Sequence, residues 1–187
     1  MMDYFVLKQD ERCTDAPVLL DVRSRIDLRD IRPDRAHRIA DTIVMQVKST
    51  LETEYPDVLD GQLYLISDRL KRIAAAYEPD LPVKLIPLMD RVQRKQSNYY
   101  LPLFEEAEVL SPSSELNRDG TVVKKLVLQR SKLAGRKIFK IKESTKPLII
   151  VRLDVAESLL RRDFAGIRLE RAAVEEDTKL EITENYS

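Results

Sequence analysis

Two side chains of the 187-residue chain could act together as a nucleophile and a base, the single thiol Cys13 and the single imidazole His37. A catalytic Cys–His pair needs a third group that orients the imidazole and a rigid support. Both residues lie in polar, turn-rich sequence without an evident oxyanion loop, so we interpret them as an incidental thiol and a surface imidazole. A small hydrolase that uses Cys13, Ser67 or carboxylates stays as the alternative.

Other catalytic and metal-binding motifs are missing from the sequence. One Cys and one His cannot supply the four ligands of a structural zinc site, and one Cys cannot form an intramolecular disulfide. The glycines form neither GxGxxG nor a P-loop, and no serine stands in GxSxG. We therefore predict a binding protein without catalytic residues, metal or cofactor.

The charge balance argues against nucleic acid as a partner. Lys plus Arg and Asp plus Glu are each 32, whereas a nucleic-acid binder needs an excess of positive charge. The N-terminus lacks the pattern of a signal peptide, and the apolar runs are too short for a membrane span. We expect a cytoplasmic protein with neither membrane nor nucleic-acid partners, with self-association left open.

The segment 23–38 is rich in arginine and is the first candidate for a partner-binding surface. It contains six Arg and three Asp, and Pro33 interrupts any continuous helix. Because the planar guanidinium makes paired hydrogen bonds to carboxylates, arginine is favoured at interfaces. The predicted contact residues are Arg25, Arg29, Arg32 and Arg35. The alternative is a solvated loop whose Asp residues neutralise the arginines locally.

Two adjacent tyrosines, Tyr99 and Tyr100, form the second candidate contact, together with Phe104 near Pro102. Buried aromatic side chains often anchor protein partners. Large aromatic side chains are also mostly buried in cores, which is the alternative interpretation.

Hydrophobic patterning predicts mainly strands and two helices. The predicted strands or extended segments are 2–7, 18–22, 42–48, 63–66, 83–88, 98–110, 121–129, 136–142, 146–151 and 166–172. Ser67 should cap a helix over 68–77, because Leu70, Ile73, Ala74 and Tyr77 recur at helical spacing.

Asp154 should cap a second helix that runs to about Asp163, buries Val155, Leu159 and Leu160, and closes at Gly166. Within the strand 83–88, Pro87 suggests a sheet edge or a strand end.

These elements form two strand–helix–strand units, residues 63–88 and 148–171, which are either a duplication or two unrelated copies of a common motif. We predict an α+β fold with mixed, mostly antiparallel sheets and a few short helices. Residues 1–172 should form one domain, with 1–94 and 95–172 as its candidate lobes. Residues 173–187 should form a flexible acidic tail.

Several segments resemble a family of bacterial polymorphic-toxin immunity proteins that was first catalogued as a domain of unknown function. The resemblance covers about residues 40–172. It rests on the proline–aspartate turn at 56–57, the Leu-Ile-Ser step at 65–67, the Tyr-Tyr pair at 99–100, the Ile-Phe strand at 138–139 and the final Gly-Ile step at 166–167. Arg152 and the Ser111–Ser114 turn depart from the family pattern.

The resemblance implies a non-enzymatic protein that binds and neutralises a toxin encoded in the same genetic neighbourhood. It implies no catalytic residue and does not identify the toxin. The alternatives are the small hydrolase and a self-associating interaction module.

Overall fold

Alternating burial along the strands builds two principal sheets in residues 2–177, the part of the chain that the computed structural model describes. Leu65 faces one side of its sheet and Ile66 the other, and Ile150 and Val151 divide in the same way. The predicted α+β class is confirmed, with mixed, mostly antiparallel sheets and short helices.

Fifteen strands occur in the described residues. They are β1 (Tyr4–Gln9), β2 (Val18–Leu19), β3 (Met45–Lys48), β4 (Val58–Leu59), β5 (Leu65–Ser67), β6 (Val83–Asp90), β7 (Lys95–Pro102), β8 (Glu106–Ala107), β9 (Glu115–Leu116), β10 (Val123–Lys125), β11 (Val127–Gln129), β12 (Ile138–Ile141), β13 (Ile149–Arg152), β14 (Ile167–Arg171) and β15 (Ala173–Glu175). The α-helices are α1 (Val22–Arg25), α2 (Asp68–Tyr77), α3 (Arg130–Leu133) and α4 (Leu153–Leu160), and 3₁₀ turns lie at Leu28–Asp30 and Pro33–Arg38.

The first sheet has six strands in the order β2-β3-β6-β7-β5-β4, and the second has five in the order β14-β1-β13-β12-β8. Two small sheets join β9 to β10 and β11 to β15. No helix among residues 2–177 is both long enough and apolar enough to cross a membrane.

The two strand–helix–strand units have the same sheet connection. In the unit β5–α2–β6 both strands run antiparallel to β7, which lies between them. In the unit β13–α4–β14 both strands run antiparallel to β1, which lies between them. The N-terminal strand thus occupies the place in the second sheet that β7 occupies in the first.

Three apolar clusters hold these layers together. The central cluster contains residues of both helices and both sheets, including Leu70 of α2 and Leu159 of α4, and the two helices contact each other. The outer face of the first sheet is covered by Ile26 of the arginine-rich segment and by Ile39, which directly follows that segment. The outer face of the second sheet packs against residues such as Leu128.

The prediction that Pro87 marks a sheet edge is wrong, because β6 pairs with β3 on one side and with β7 on the other. Pro87 lies between the Thr42–Leu85 bridge and the Met45–Leu88 pair, where the ladder to β3 is interrupted. The ladder to β3 is thus interrupted at the residue of β6 that has no N–H to donate.

The helix α4 also differs from the second helix predicted from the sequence. Its N-cap is Arg152 rather than Asp154, it ends at Leu160, and the Leu160 side chain is 72% exposed. Gly166 has the expected left-handed backbone but lies beyond the helix, against Pro56.

The predicted lobes 1–94 and 95–172 do not match the sheets, because β1 pairs in the second sheet and β7 in the first. The predicted tail begins too early: Ala173–Glu175 is the strand β15, which pairs with β11. The rest of that tail, from 178 onward, lies outside the described residues.

Candidate functional site

Cys13 and His37, the two side chains that could form a catalytic pair, lie in different parts of the structure. The Cys13 thiol is 3.8 Å from the Glu54 carboxylate, and burial together with this negative charge raises the pKa of Cys13. His37 lies on the 3₁₀ turn Pro33–Arg38. Neither Cys13 nor His37 lines any of five prominent concavities in residues 2–177.

Ser67 has a structural role. Its hydroxyl donates a hydrogen bond to the Asp57 carboxylate at 2.5 Å and accepts one from the Leu70 backbone N–H at 3.2 Å. The hydroxyl caps α2, and Ser67 is thus confirmed as its N-cap. Among residues 2–177, no group of three or more His, Cys, Asp or Glu side chains is placed to hold a metal ion.

The arginine-rich segment folds as a sequence of tight turns over the first sheet. The Asp27 side chain accepts a hydrogen bond from the Arg29 backbone N–H and begins the 3₁₀ turn Leu28–Asp30. Pro33 begins the next turn, where its missing N–H is not needed. Ile26 and Ile39 point into the core below, so the arginines between them are directed outward.

Most of the predicted arginines are ion-paired within this segment. Arg29 contacts Asp27 at 2.7 Å, Arg32 contacts Asp34 at 3.0 Å, and Arg35 contacts Asp30 at 3.4 Å. The hydrogen bonds from Arg29 lower the pKa of Asp27 to about 2. The segment therefore presents paired positive and negative charges rather than a uniformly positive patch.

Arg25 is the predicted contact residue that lacks a carboxylate partner within ion-pair distance in the described part of the chain. It lines a concavity of about 480 Å³ together with Asp27, Asp30, Arg38 and Val44. Arg38 also contacts Asp30, at 3.5 Å. The concavity therefore combines guanidinium hydrogen-bond donors and carboxylate acceptors with the apolar side chain of Val44.

Exposed apolar side chains surround this charged region. Val18, Leu20, Leu28 and Val44 are each between 41% and 48% exposed. Leu28 also forms the wall of an apolar cleft of about 110 Å³ between the arginine-rich segment and the sheets. We call Arg25, Leu28, Arg29, Arg38 and Val44 the arginine surface; arginine is enriched at protein interfaces, and the buried centre of an interface is more apolar than its rim.

The two tyrosines occupy different environments from those predicted for contact residues. Tyr99 is buried in the outer core of the first sheet, and its hydroxyl donates to the Pro56 carbonyl at 2.6 Å. Tyr100 is half-buried, with the Lys71 ammonium 4.0 Å from its ring centre. Tyr99 is therefore a core residue, and its prediction as a surface contact is corrected.

Three of the segments that carry the family resemblance, those at 65–67, 99–100 and 166–167, meet at the turn Pro56–Asp57. The Asp57 carboxylate accepts hydrogen bonds from Ser67 and from the Ala165 backbone N–H, and the Asp57 N–H donates to the Ala165 carbonyl. Tyr99 binds the Pro56 carbonyl, and Gly166 lies against the proline ring. This turn joins the two strand–helix–strand units.

The described end of the acidic segment is bound to the domain. Glu175 accepts hydrogen bonds from Ser111 and Ser113, and Asp177 accepts from Gln129 and Ser131. The serine turn that departs from the family pattern therefore fixes β15 in place. No local pattern predicts this pairing, because the partners are more than 40 residues apart.

No protein-family model matches the chain, and no curated protein matches it.

Proposed function

We propose that the protein is a non-enzymatic binding protein that neutralises a bacterial toxin by direct contact, as the resemblance to immunity proteins implies. The observation that carries the proposal is the arginine surface, where Arg25, Arg38 and half-exposed Val44 line one concavity, and Leu28 and Arg29 lie on the turn beside it. An inhibitor needs a stable scaffold and a complementary patch rather than an acid, a base or a cofactor.

The proposed binding works by replacement: carboxylates of the partner take the place of local carboxylates in ion pairs with the arginines. Arg29 and Arg38 are held by local carboxylates at the surface, where an ion pair contributes less than about 1 kcal/mol. Carboxylates of a partner can therefore replace Asp27 and Asp30 at small cost. Burial of Leu28 and Val44 against the partner would then supply the hydrophobic part of the affinity.

Binding of the toxin domain encoded beside this gene tests the proposal. We expect a stoichiometric complex by size-exclusion chromatography with light scattering, and rescue of growth when both proteins are co-expressed. The double variant Arg25→Glu/Leu28→Ser should weaken binding at least tenfold in calorimetry.

The matched control is Arg161→Glu/Leu160→Ser, a similar pair at the end of α4, which should bind as the wild type does. Mass spectrometry of the toxin after incubation separates binding from catalysis. An altered toxin mass would support the hydrolase alternative, and failure of the two proteins to associate would contradict the proposal. A dimer of the protein alone that excludes the toxin would support the self-associating module.

A further inference from the structure

A second surface lies at the hairpin between β6 and β7, on elements different from those of the arginine surface. The turn presents Arg91, Val92, Arg94 and Lys95, and the neighbouring loop presents Leu51. Leu51 is 76% exposed and Val92 is 49% exposed. We call these five residues the hairpin tip.

The hairpin tip is rigidly supported. The buried Asp90 carboxylate accepts hydrogen bonds from the Tyr55 and Ser49 hydroxyls at 2.6 and 2.7 Å, and from the backbone N–H groups of Val92 and Gln93. The Gln93 amide donates to carbonyls of the loop that carries Leu51, those of Thr50 and Thr53, each at 2.9 Å.

This network fixes the backbone of the turn beside that of the loop before any partner arrives. The backbone entropy that a partner must remove on binding is therefore small.

The cations of the hairpin tip differ from those of the arginine surface. Within residues 2–177, Arg91, Arg94 and Lys95 have no carboxylate within ion-pair distance, whereas Arg29, Arg32 and Arg35 each have one. The Asp90 carboxylate is occupied by its four hydrogen bonds, and Lys95 lies 3.8 Å from the ring centre of Tyr55. Three positive charges thus flank two exposed aliphatic side chains.

We infer that the hairpin tip is a docking surface for an acidic polypeptide segment that carries aliphatic or aromatic side chains. Carboxylates would pair with Arg91, Arg94 and Lys95, while apolar side chains would cover Leu51 and Val92. A single-stranded nucleic acid fits less well, because its bases stack on exposed aromatic rings and the ring at this site, Tyr55, is covered by Lys95. This inference does not depend on the proposed toxin partner.

The test is an NMR titration of the full-length protein with synthetic twelve-residue peptides. One peptide alternates Asp or Glu with Leu and Phe, and a second has the same apolar residues with Lys in place of the acids. We expect the acidic peptide to shift the amide signals of 50–53 and 90–96, with an affinity that falls at least tenfold between 50 and 300 mM salt.

The variant Arg91→Ser/Val92→Ser/Arg94→Asn should abolish these shifts, with Asn chosen because the Arg94 backbone is left-handed. The control Leu116→Ser/Arg118→Ser/Lys124→Ser removes an exposed leucine and two cations from another hairpin and should leave the binding unchanged. Equal shifts with the lysine peptide, or no shifts at the tip, would overturn the inference. Tighter binding of a twelve-base oligonucleotide or of phosphatidylglycerol vesicles at the tip would also overturn it.

Discussion

The close approach of Gly166 to Pro56 is one of the contacts between the two strand–helix–strand units. A Cβ atom at Gly166 would lie 2.5 Å from the Pro56 Cβ, and the Gly166 backbone has a φ of +63°. Gly120 has a similar φ of +67° but no neighbouring atom within 4 Å of its Cβ position. The two glycines therefore separate the cost of backbone strain from the cost of a steric clash.

Gly166→Ala should destabilise the protein by about 3 kcal/mol or more, because it combines a left-handed alanine with a clash. Gly120→Ala should cost only about 1 kcal/mol, the strain alone. Urea denaturation of both variants measures the difference. Equal losses in the two variants would show that Pro56 moves away freely and that the contact does not hold the units together.

The Asp90 carboxylate makes the free energy of unfolding depend on pH. Burial raises the pKa of Asp90, but hydrogen bonds from Tyr55, Gln93, Ser49 and Val92 outweigh it and lower the pKa from 3.8 to about 2. Because the folded-state pKa is depressed, this stabilisation is complete above about pH 4 and is lost as the pH falls towards 2.

Asp90→Asn should reduce the free energy of unfolding by about 2 kcal/mol at pH 7. The difference from the wild type should shrink between pH 4 and pH 2. The control Asp27→Asn removes an exposed carboxylate whose pKa is equally low, and because solvent screens it, its effect on stability should be clearly smaller than that of Asp90→Asn. A pH-independent difference for Asp90→Asn would contradict the assignment.

At this scale the sequence allowed some roles to be predicted and others not. Ser67 was predictable as a cap because it stands directly before a periodic apolar segment. The roles of Asp57 and Asp90 were not predictable, because hydrogen-bond partners of both are distant in sequence. Asp57 binds Ala165, and Asp90 binds Ser49. The burial of Tyr99 depends on the packing of a second layer, which local pattern does not show.

At the scale of elements, the two helices of the repeated units differ in how they begin. The α2 helix has a serine cap whose hydroxyl also reaches Asp57, while Arg152, the N-cap residue of α4, makes no side-chain cap hydrogen bond. The bounds predicted for α2 are confirmed because cap, apolar stripe and following proline all agree. The bounds predicted for α4 were wrong at the C-terminal end because the chain leaves the helix to reach Pro56.

Ser67→Ala should destabilise the protein by about 2 kcal/mol, since it removes the cap of α2 and leaves Asp57 with one donor fewer. Ser158→Ala is the matched control on α4, where the hydroxyl contacts the exposed Arg162, and should cost less than about 0.5 kcal/mol. Thermal unfolding by circular dichroism compares them. A Ser67→Ala variant as stable as the control would show that the cap contributes little.

At the scale of the whole molecule, each sheet contains one strand from the half of the sequence that supplies most of the other sheet. The strand β1 completes the C-terminal sheet, and β7 completes the sheet that contains β3 and β6. The α+β class was predictable from alternating and helical periodicities. The strand order was not, because a period of two shows which residues are buried but not which strand lies beside which.

A cut between residues 94 and 95 should therefore abolish independent folding of both pieces. We expect the separate fragments 1–94 and 95–187 to lack cooperative unfolding, and their mixture to regain it. The control is a cut within the exposed turn at 118–119, between β9 and β10, which should leave the two pieces associated and folded. Cooperative unfolding of isolated 1–94 would contradict this prediction.

The place of β1 has a consequence for synthesis on the ribosome. Tyr4–Gln9 emerges before its hydrogen-bonding neighbours Ile149–Arg152 and Ile167–Arg171, which follow about 145 and about 160 residues later. During that interval the nascent strand exposes unpaired amides and apolar side chains that a chaperone or a neighbouring nascent chain can capture. Translation speed between β1 and β14 should thus influence the yield of native protein.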